Sequence, residues 1–276
     1  MKHLFLIGFL FCSLYLHAQT VRQPLSSLYP GIGAYSKNMA DAFSMIVNPA
    51  SLSNVKSSSA GVYAERRFLL SALNQYTAAG AFETSSGNFG IQADYFGYSN
   101  YNETQLGLGY ARSLGTTVDV GVKFNYYNLR LASYGAASTF HFEAGVVMHL
   151  SDKLHAGLSV FNPVGGMLSK ETDEKIAAVY RGGFGYEASD RFFITAEIIK
   201  EENKNVGVNA AFQYTLVKQL LIRGGINTLN SQPFIGAGLK FGQLRFDFAA
   251  NYHPQLGVSP AVMLLFNFNK INEEEE

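Results

Sequence analysis

The chain has 276 residues, only 15% of them charged, with 21 Lys plus Arg balancing 21 Asp plus Glu. That charge density lies below the roughly 25% of soluble domains, and the lack of a basic excess removes the electrostatic footprint of a nucleic-acid binder. With 16 Tyr, 22 Phe, 27 Gly and no Trp, the composition suits an aromatic- and glycine-rich β protein, long enough for one large barrel or two small domains.

Met1-Lys2-His3, the apolar run 4–16 and then His17-Ala18-Gln19 have the layout of a secretory signal peptide, residues 1–18, cleaved after Ala18. The run is short for a transmembrane helix, which needs about 20 residues. It contains Cys12, the only cysteine, and Phe11 before it is not the small residue of a lipoprotein site. The mature chain is therefore expected to lack cysteine, and with it disulfides and thiolate metal sites.

Residues 19–59 show no clean alternation. Pro24, Pro30, Gly31 and Gly33 interrupt the start, and 39–55 reads as a short helical turn running into a loop. From Ala60 the texture changes to about fourteen segments of roughly ten residues, the length of a tilted bilayer-crossing strand. They are 60–68, 75–84, 88–98, 102–112, 118–131, 139–150, 154–163, 177–187, 192–201, 205–216, 220–228, 233–241, 244–253 and 258–268. The connections alternate: short turns at 85–87, 113–117, 151–153, 188–191, 217–219 and 242–243 on a near side, and mostly longer ones on the far side, with 132–138 and 164–176 the largest. No later stretch is long and apolar enough to span as a helix, so membrane residence requires a closed barrel.

The segment 118–131 sets the pattern. Val118, Val120, Val122, Phe124 and Tyr126 share one face and Asp119, Gly121, Lys123 and Asn125 the other. Near Tyr126-Tyr127 the phase slips, which predicts a bulge that keeps Tyr127, Leu129 and Leu131 in the apolar row and Asn128 and Arg130 in the polar one. A soluble sandwich would bury the apolar face and a membrane barrel would turn it to lipid. The second row carries Asp94, Asp119, Lys123, Arg130, Glu143, Arg181, Glu197, Arg223, Lys240, Arg245 and Asp247, nearly balanced in sign and interleaved with glycine. Pairable charges and small residues suit an interior packed round a plug, so this row is expected to form a lumen charge network. A secreted β-sandwich is the competing fold.

Asn48-Pro49-Ala50, approached by Asp41-Ala42-Phe43-Ser44 and followed by Ser51-Leu52, precedes the first strand. Taken alone, the tripeptide is equally an Asx-Pro turn with no further role. In this place it resembles the asparagine-proline-alanine hatch signature of the FadL-type outer-membrane barrels, which include the PorV and PorQ proteins of the Bacteroidetes type IX secretion system. The resemblance implies a fourteen-stranded barrel with an N-terminal hatch over 19–59, in which Asp41, Asn48, Pro49 and Ala50 shape the plug. The chain is shorter than the family's transporters and lacks their long outer loops.

His141 and His149 lie about 27 Å apart along one strand, too far to share a metal, while His155 can approach His149 across the 151–153 turn. No pattern ties a serine, a histidine and an acid into a nucleophilic triad. The charge runs 170–175 and 200–204 are expected to be solvated outer loops, and the tail 269–276, ending in Glu273 to Glu276, has no role beyond solubility at this level. The expectation is an all-β outer-membrane antiparallel barrel over 60–268, exported, non-enzymatic and without cofactor or metal. Its expected function is support of protein secretion or surface assembly through other envelope proteins, in the PorV/PorQ manner. The alternative is a FadL-like passive transporter of small hydrophobic molecules.

Overall fold

The computed structural model describes residues 33–169, 174–202, 204–228 and 232–268. The expected signal peptide at 1–18, the part of the expected hatch at 19–32, most of the run 170–175 and the acidic tail 269–276 lie outside the described residues.

Period-two alternation makes each segment a strand with two chemically distinct faces. The strands are β1 (Ser59–Arg66), β2 (Asn74–Phe82), β3 (Asn88–Tyr98), β4 (Tyr101–Leu114), β5 (Val118–Leu131), β6 (Gly135–His149) and β7 (Leu154–Phe161), then a short pair, β8 (Met167–Ser169) and β9 (Glu174–Lys175). There follow β10 (Val179–Ser189), β11 (Phe192–Glu201), β12 (Val206–Val217), β13 (Leu220–Asn227), β14 (Gln232–Phe241), β15 (Leu244–His253) and β16 (Gly257–Asn267). β8 pairs only with β9, while the other fourteen form one closed antiparallel barrel, in which β7 pairs with β10 and β1 with β16. Closure leaves no sheet edge and satisfies the backbone between strands. Among the described residues no helix is long and apolar enough to cross a membrane.

Which face is inside is now plain. Leu108, Phe124 and Phe140 are 67%, 66% and 76% exposed on the outer surface, while Asp119, Lys123 and Asp247 are each 1% exposed. A water-soluble sandwich would have the reverse arrangement, since burying charge while exposing phenylalanine to water opposes both transfer free energies.

Three details of the sequence pattern are corrected. β5 has no bulge: it pairs one-for-one with β4 from Val118 to Leu131 and with β6 over the same span. Parity therefore carries through, so Tyr127 and Leu129 are buried inside and Arg130 is exposed on the outer face, outside the lumen network to which it was assigned. Register shifts fall instead at the near-side ends of β10 and β12. The connection expected at 132–138 shrinks to a tight turn, because β6 begins at Gly135, opposite Leu131. The inward apolar pair has a partner in the far-side connection: Tyr127 and Leu129 cluster with Leu168 and Ile176, and Tyr101 and Phe161 pack against them.

The described N-terminal segment lies inside the barrel. Tyr35, Phe43, Met45 and Leu52 are fully buried, in a core completed by inward alanines such as Ala79, Ala81 and Ala111 and by Met263 and Leu265. Burial of each large apolar side chain contributes about 1.5–3 kcal/mol. The wall is thin where this segment presses hardest. A Cβ at Gly121 would lie 2.5 Å from the backbone of Pro49 and Ala50, and one at Gly145 would lie 1.9 Å from Asn48 Oδ1.

Candidate functional site: an inner segment moored to a charged wall

The segment is built from two short 3-10 turns, Ser44–Ile46 and Pro49–Asn54. Asn48 caps the second, its Oδ1 accepting from Ala50 N at 3.0 Å, and Pro49 occupies the first helical position, where its missing N–H costs nothing. The other end of the Asn48 amide donates to the wall, to Val146 O at 3.3 Å and Leu158 O at 3.4 Å. Asp41 works similarly: Oδ1 accepts from Phe43 N at 2.9 Å, and Oδ2 pairs with Arg245 at 2.7 Å. Ala50 is fully buried beside Gly121, a spacing that leaves no room for a larger side chain.

Wall carboxylates hold the rest. Glu197 accepts from Tyr35 Oη at 2.9 Å and from Asn209 Nδ2 at 2.7 Å. Burial, reinforced by the Glu197 charge, raises the Tyr35 phenol well above its ordinary pKa and keeps it a donor. Glu187 accepts from Ser36 Oγ at 2.7 Å, Lys37 N at 2.8 Å, Asn38 N at 3.1 Å and Asn38 Nδ2. Asp119 accepts from Asn54 Nδ2 at 2.8 Å. Arg181 reaches Val47 O through a long 3.4 Å bond.

The remaining inward charges pair with one another. Lys123 Nζ is 2.8 Å from Glu143 and 3.0 Å from Gln92 Oε1. Asn125 Nδ2 donates to Glu143 at 2.9 Å. Asp94 accepts from Thr77 Oγ1 at 2.6 Å and from Gln92 Nε2. Asp247 Oδ2 accepts from both Arg223 at 3.3 Å and Arg245 at 2.9 Å. Lys240 lines a near-side funnel with Arg223 and Arg245. The eleven assigned charges thus fall inside except Arg130, and the ten others lie in three groups, on β3 to β6, on β10 and β11, and on β13 to β15.

Sequence reasoning missed Tyr35, Asn54 and Glu187. Glu187 has the same parity on β10 as Arg181, so the rule that found one applies to the other. Tyr35 and Asn54 lie in aperiodic sequence, which carries no such signal. His149 and His155 do meet, Nδ1 to Nδ1 at 2.9 Å, while His149 Nε2 lies 2.7 Å from Asp119 and His155 Nε2 3.4 Å from Glu187. His141 instead packs its ring 4.6 Å from that of Phe161. Among the described residues no group of three or more His, Cys, Asp and Glu is arranged to hold a metal.

The cavity between Val47, Lys123, Glu143 and Arg181 measures about 20 Å³, room for about one water. The funnel at the near-side mouth, between the inner segment and the wall formed by the near-side end of β10 and by β12 to β16, measures about 420 Å³. The two large apolar hollows, about 840 and 630 Å³, are lined by outward side chains such as Val62, Ile91, Leu108 and Phe124 in one and Tyr76, Tyr95 and Phe246 in the other.

No family model matches the sequence, and no curated protein matches it in sequence. Solved structures do resemble it. The Ralstonia pickettii toluene transporter TbuX superposes with a TM-score of 0.65 at 10% identity, over 90% of this chain and 99% of that one. The P. putida toluene transporter TodX gives 0.64 at 11% identity over 90% and 99%. A Pseudomonas aeruginosa FadL homologue gives 0.57 at 10% identity over 83% and 94%. The fold is that of the FadL-type outer-membrane barrels. On that fold the Asn48-Pro49-Ala50 turn lies within the barrel, capped by its own asparagine and backed by Gly121 and Gly145.

Proposed function

We propose that this protein is a non-enzymatic outer-membrane conduit for small hydrophobic molecules, held in a closed state by residues 19–59 acting as a hatch and exported by the signal peptide at 1–18. The observation that carries the proposal is the mooring of the inner segment. It is attached to the wall by hydrogen bonds and by the Asp41–Arg245 ion pair, contacts that a movement can break and remake, and it meets the wall at glycines. The apolar outer belt supports residence in lipid, and the fold shared with toluene transporters supports an apolar cargo.

A second reading, a PorV/PorQ-like barrel that serves protein secretion by binding envelope partners, is favoured by one observation. Inward charges such as Lys123 and Glu143 pair beside a cavity of only about 20 Å³, as suits a scaffold that passes nothing. The motif Asn48-Pro49-Ala50 is compatible with either.

A reversible lock separates them. A Cβ at Gly145 would stand 3.0 Å from Asn48 Cγ, the place a sulfur would take and the Cβ-to-sulfur separation a disulfide needs, so Asn48→Cys with Gly145→Cys is the pair to cross-link. In proteoliposomes, uptake of a radiolabelled monoaromatic hydrocarbon is expected to stop when the pair is oxidised and to return on reduction. Uptake indifferent to the lock would remove the hatch from the pathway. Absence of uptake by the unsubstituted protein, with envelope proteins recovered alongside it, would favour the scaffold.

A further inference from the structure

Two places on the inner segment, residues 36–38 and Asn54, are moored through one continuous run of side chains on the near side of the wall. Asn54 Nδ2 donates to Asp119 Oδ2 at 2.8 Å, and that oxygen lies 2.7 Å from His149 Nε2. His149 Nδ1 meets His155 Nδ1 at 2.9 Å, the rings edge-on at 86°. His155 Nε2 faces Glu187 Oε1 at 3.4 Å, and Glu187 accepts from Ser36 Oγ and from the Lys37 and Asn38 amides. We propose that the His149–His155 contact is a proton-sensitive latch: one proton held between the rings keeps the inner segment moored, and a second releases it.

The strand register brings the four side chains together. His149 pairs directly with His155 across the β6–β7 turn, so both rings point into the lumen. Asp119 pairs with Val147, two residues before His149, and His155 pairs with Gly185, two residues before Glu187. Each carboxylate is thus the diagonal neighbour of one histidine, within reach of a side chain.

Hydrogen-bond chemistry then fixes the proton count. Two ring nitrogens 2.9 Å apart need one N–H and one lone pair between them. A ring nitrogen facing an ionised carboxylate must be the donor, because the carboxylate only accepts. The pair therefore carries three N–H groups on four nitrogens: one neutral imidazole and one imidazolium, a single positive charge between Asp119 and Glu187. A fourth proton sets two N–H groups head to head and two cations side by side, and the rings must part. Each imidazolium keeps its own carboxylate, so the contacts left to give are those of Asp119 with Asn54 and of Glu187 with residues 36–38.

The released state thus holds one proton more than the moored state. Mooring is strongest above the range in which histidines take up protons and weakens as pH falls through it, by up to about tenfold per pH unit for one proton. The surrounding charges do not supply this step. Lys37, Lys56, Asp152, Lys153 and Asp190 are exposed. Lys123 and Arg181 stand four and six residues along their strands from Asp119 and Glu187, about 14 and 20 Å away. Tyr35, whose ring lies against Gly157, sends its phenol to Glu197. The latch takes from the proposed function only that the inner segment can leave the wall, and it makes no use of the cargo.

The test uses the mature full chain in detergent micelles. With the ring nitrogens isotope-labelled, a scalar coupling between the two Nδ1 atoms reports the shared proton directly; it is expected at about pH 7.5 and lost by about pH 5.5. Hydrogen exchange, each amide rate divided by its unfolded-chain value at the same pH, reads the opening. Protection of the Val47, Asn48 and Ser51 amides, which bond within the inner segment, should fall about tenfold over that interval while β5 and β15 keep theirs. In His149→Gln with His155→Gln, whose amides do not titrate, protection should be flat with pH. Absence of the coupling at the higher pH, or protection of the unsubstituted chain that ignores pH, would overturn the proposal, and both are read without any variant. An equal fall in the double variant would assign the effect to other groups and overturn it too. Uptake is not measured, so a barrel that transports nothing leaves the latch standing.

Discussion

Phe124 and Arg130 share the outer face of β5, and both are exposed, yet only one of them belongs at the middle of a bilayer. Phe124 is central in its strand and lies opposite Leu108 on β4, whereas Arg130 is the penultimate residue at the far end, where a long side chain reaches the headgroups. The depth dependence of charge on a lipid face gives the consequence. Phe124→Arg should cost about 2–4 kcal/mol near the midplane, and Arg130→Leu should shift stability by less than about 1 kcal/mol. Denaturant unfolding of the barrel in lipid vesicles measures both, and equal effects at the two positions would contradict the assigned depth. On the inner face, Gly145→Ala drives a methyl into Asn48 Oδ1, so the Asn48 amide must give up its Oδ1 cap on Ala50 N, its Nδ2 bonds to the wall, or both. The expected loss is about 1–3 kcal/mol, with faster proteolysis within residues 33–58 as the local readout.

The strands were legible in the sequence because parity survives from end to end: 88–98, 118–131, 192–201 and 244–253 coincide with β3, β5, β11 and β15. The one place where parity seemed to break, Tyr126-Tyr127, shows what the rule lacked. An apolar inward residue there is explained only by the far-side connection that covers it, and Leu168 and Ile176 are distant in sequence from Tyr127. The inner segment was legible as a break in alternation and as a capped Pro turn, but its contacts were not, since each mooring joins it to a strand chosen by the closed topology. The cluster on β3 to β6 has a measurable signature of its own. Lys123→Met alone leaves Glu143 buried with one ionic partner gone, a loss of about 3–5 kcal/mol for such a pair. Lys123→Met with Glu143→Leu removes both charges together and should recover most of that loss. A double variant as unstable as the sum of the singles would mean that the two charges are not coupled.

At the scale of the whole molecule, two separate apolar clusters lie inside the barrel. One joins the described inner segment to the wall; the other, toward the far side, joins Tyr127 and Leu129 to Leu168 and Ile176 and is separate from the first among the described residues. Each is a candidate seal. Seals in series behave unlike seals in parallel, because either one alone holds the pathway shut. Planar-bilayer recordings should therefore be silent for the full chain, and nearly so for a chain lacking residues 33–55 or for one carrying Leu168→Ala with Ile176→Ala. Combining the deletion with the two alanines should produce conductance steps far larger than the singles add up to. The unboiled gel mobility of each variant reports that the fourteen-stranded wall still closes, so that silence cannot be mistaken for misfolding. Full-sized steps from the deletion alone would assign the entire seal to the inner segment and leave the far-side cluster as loop packing only. A non-additive result would place two gates on one pathway, and an apolar molecule could then occupy the space between them without opening a continuous path for ions.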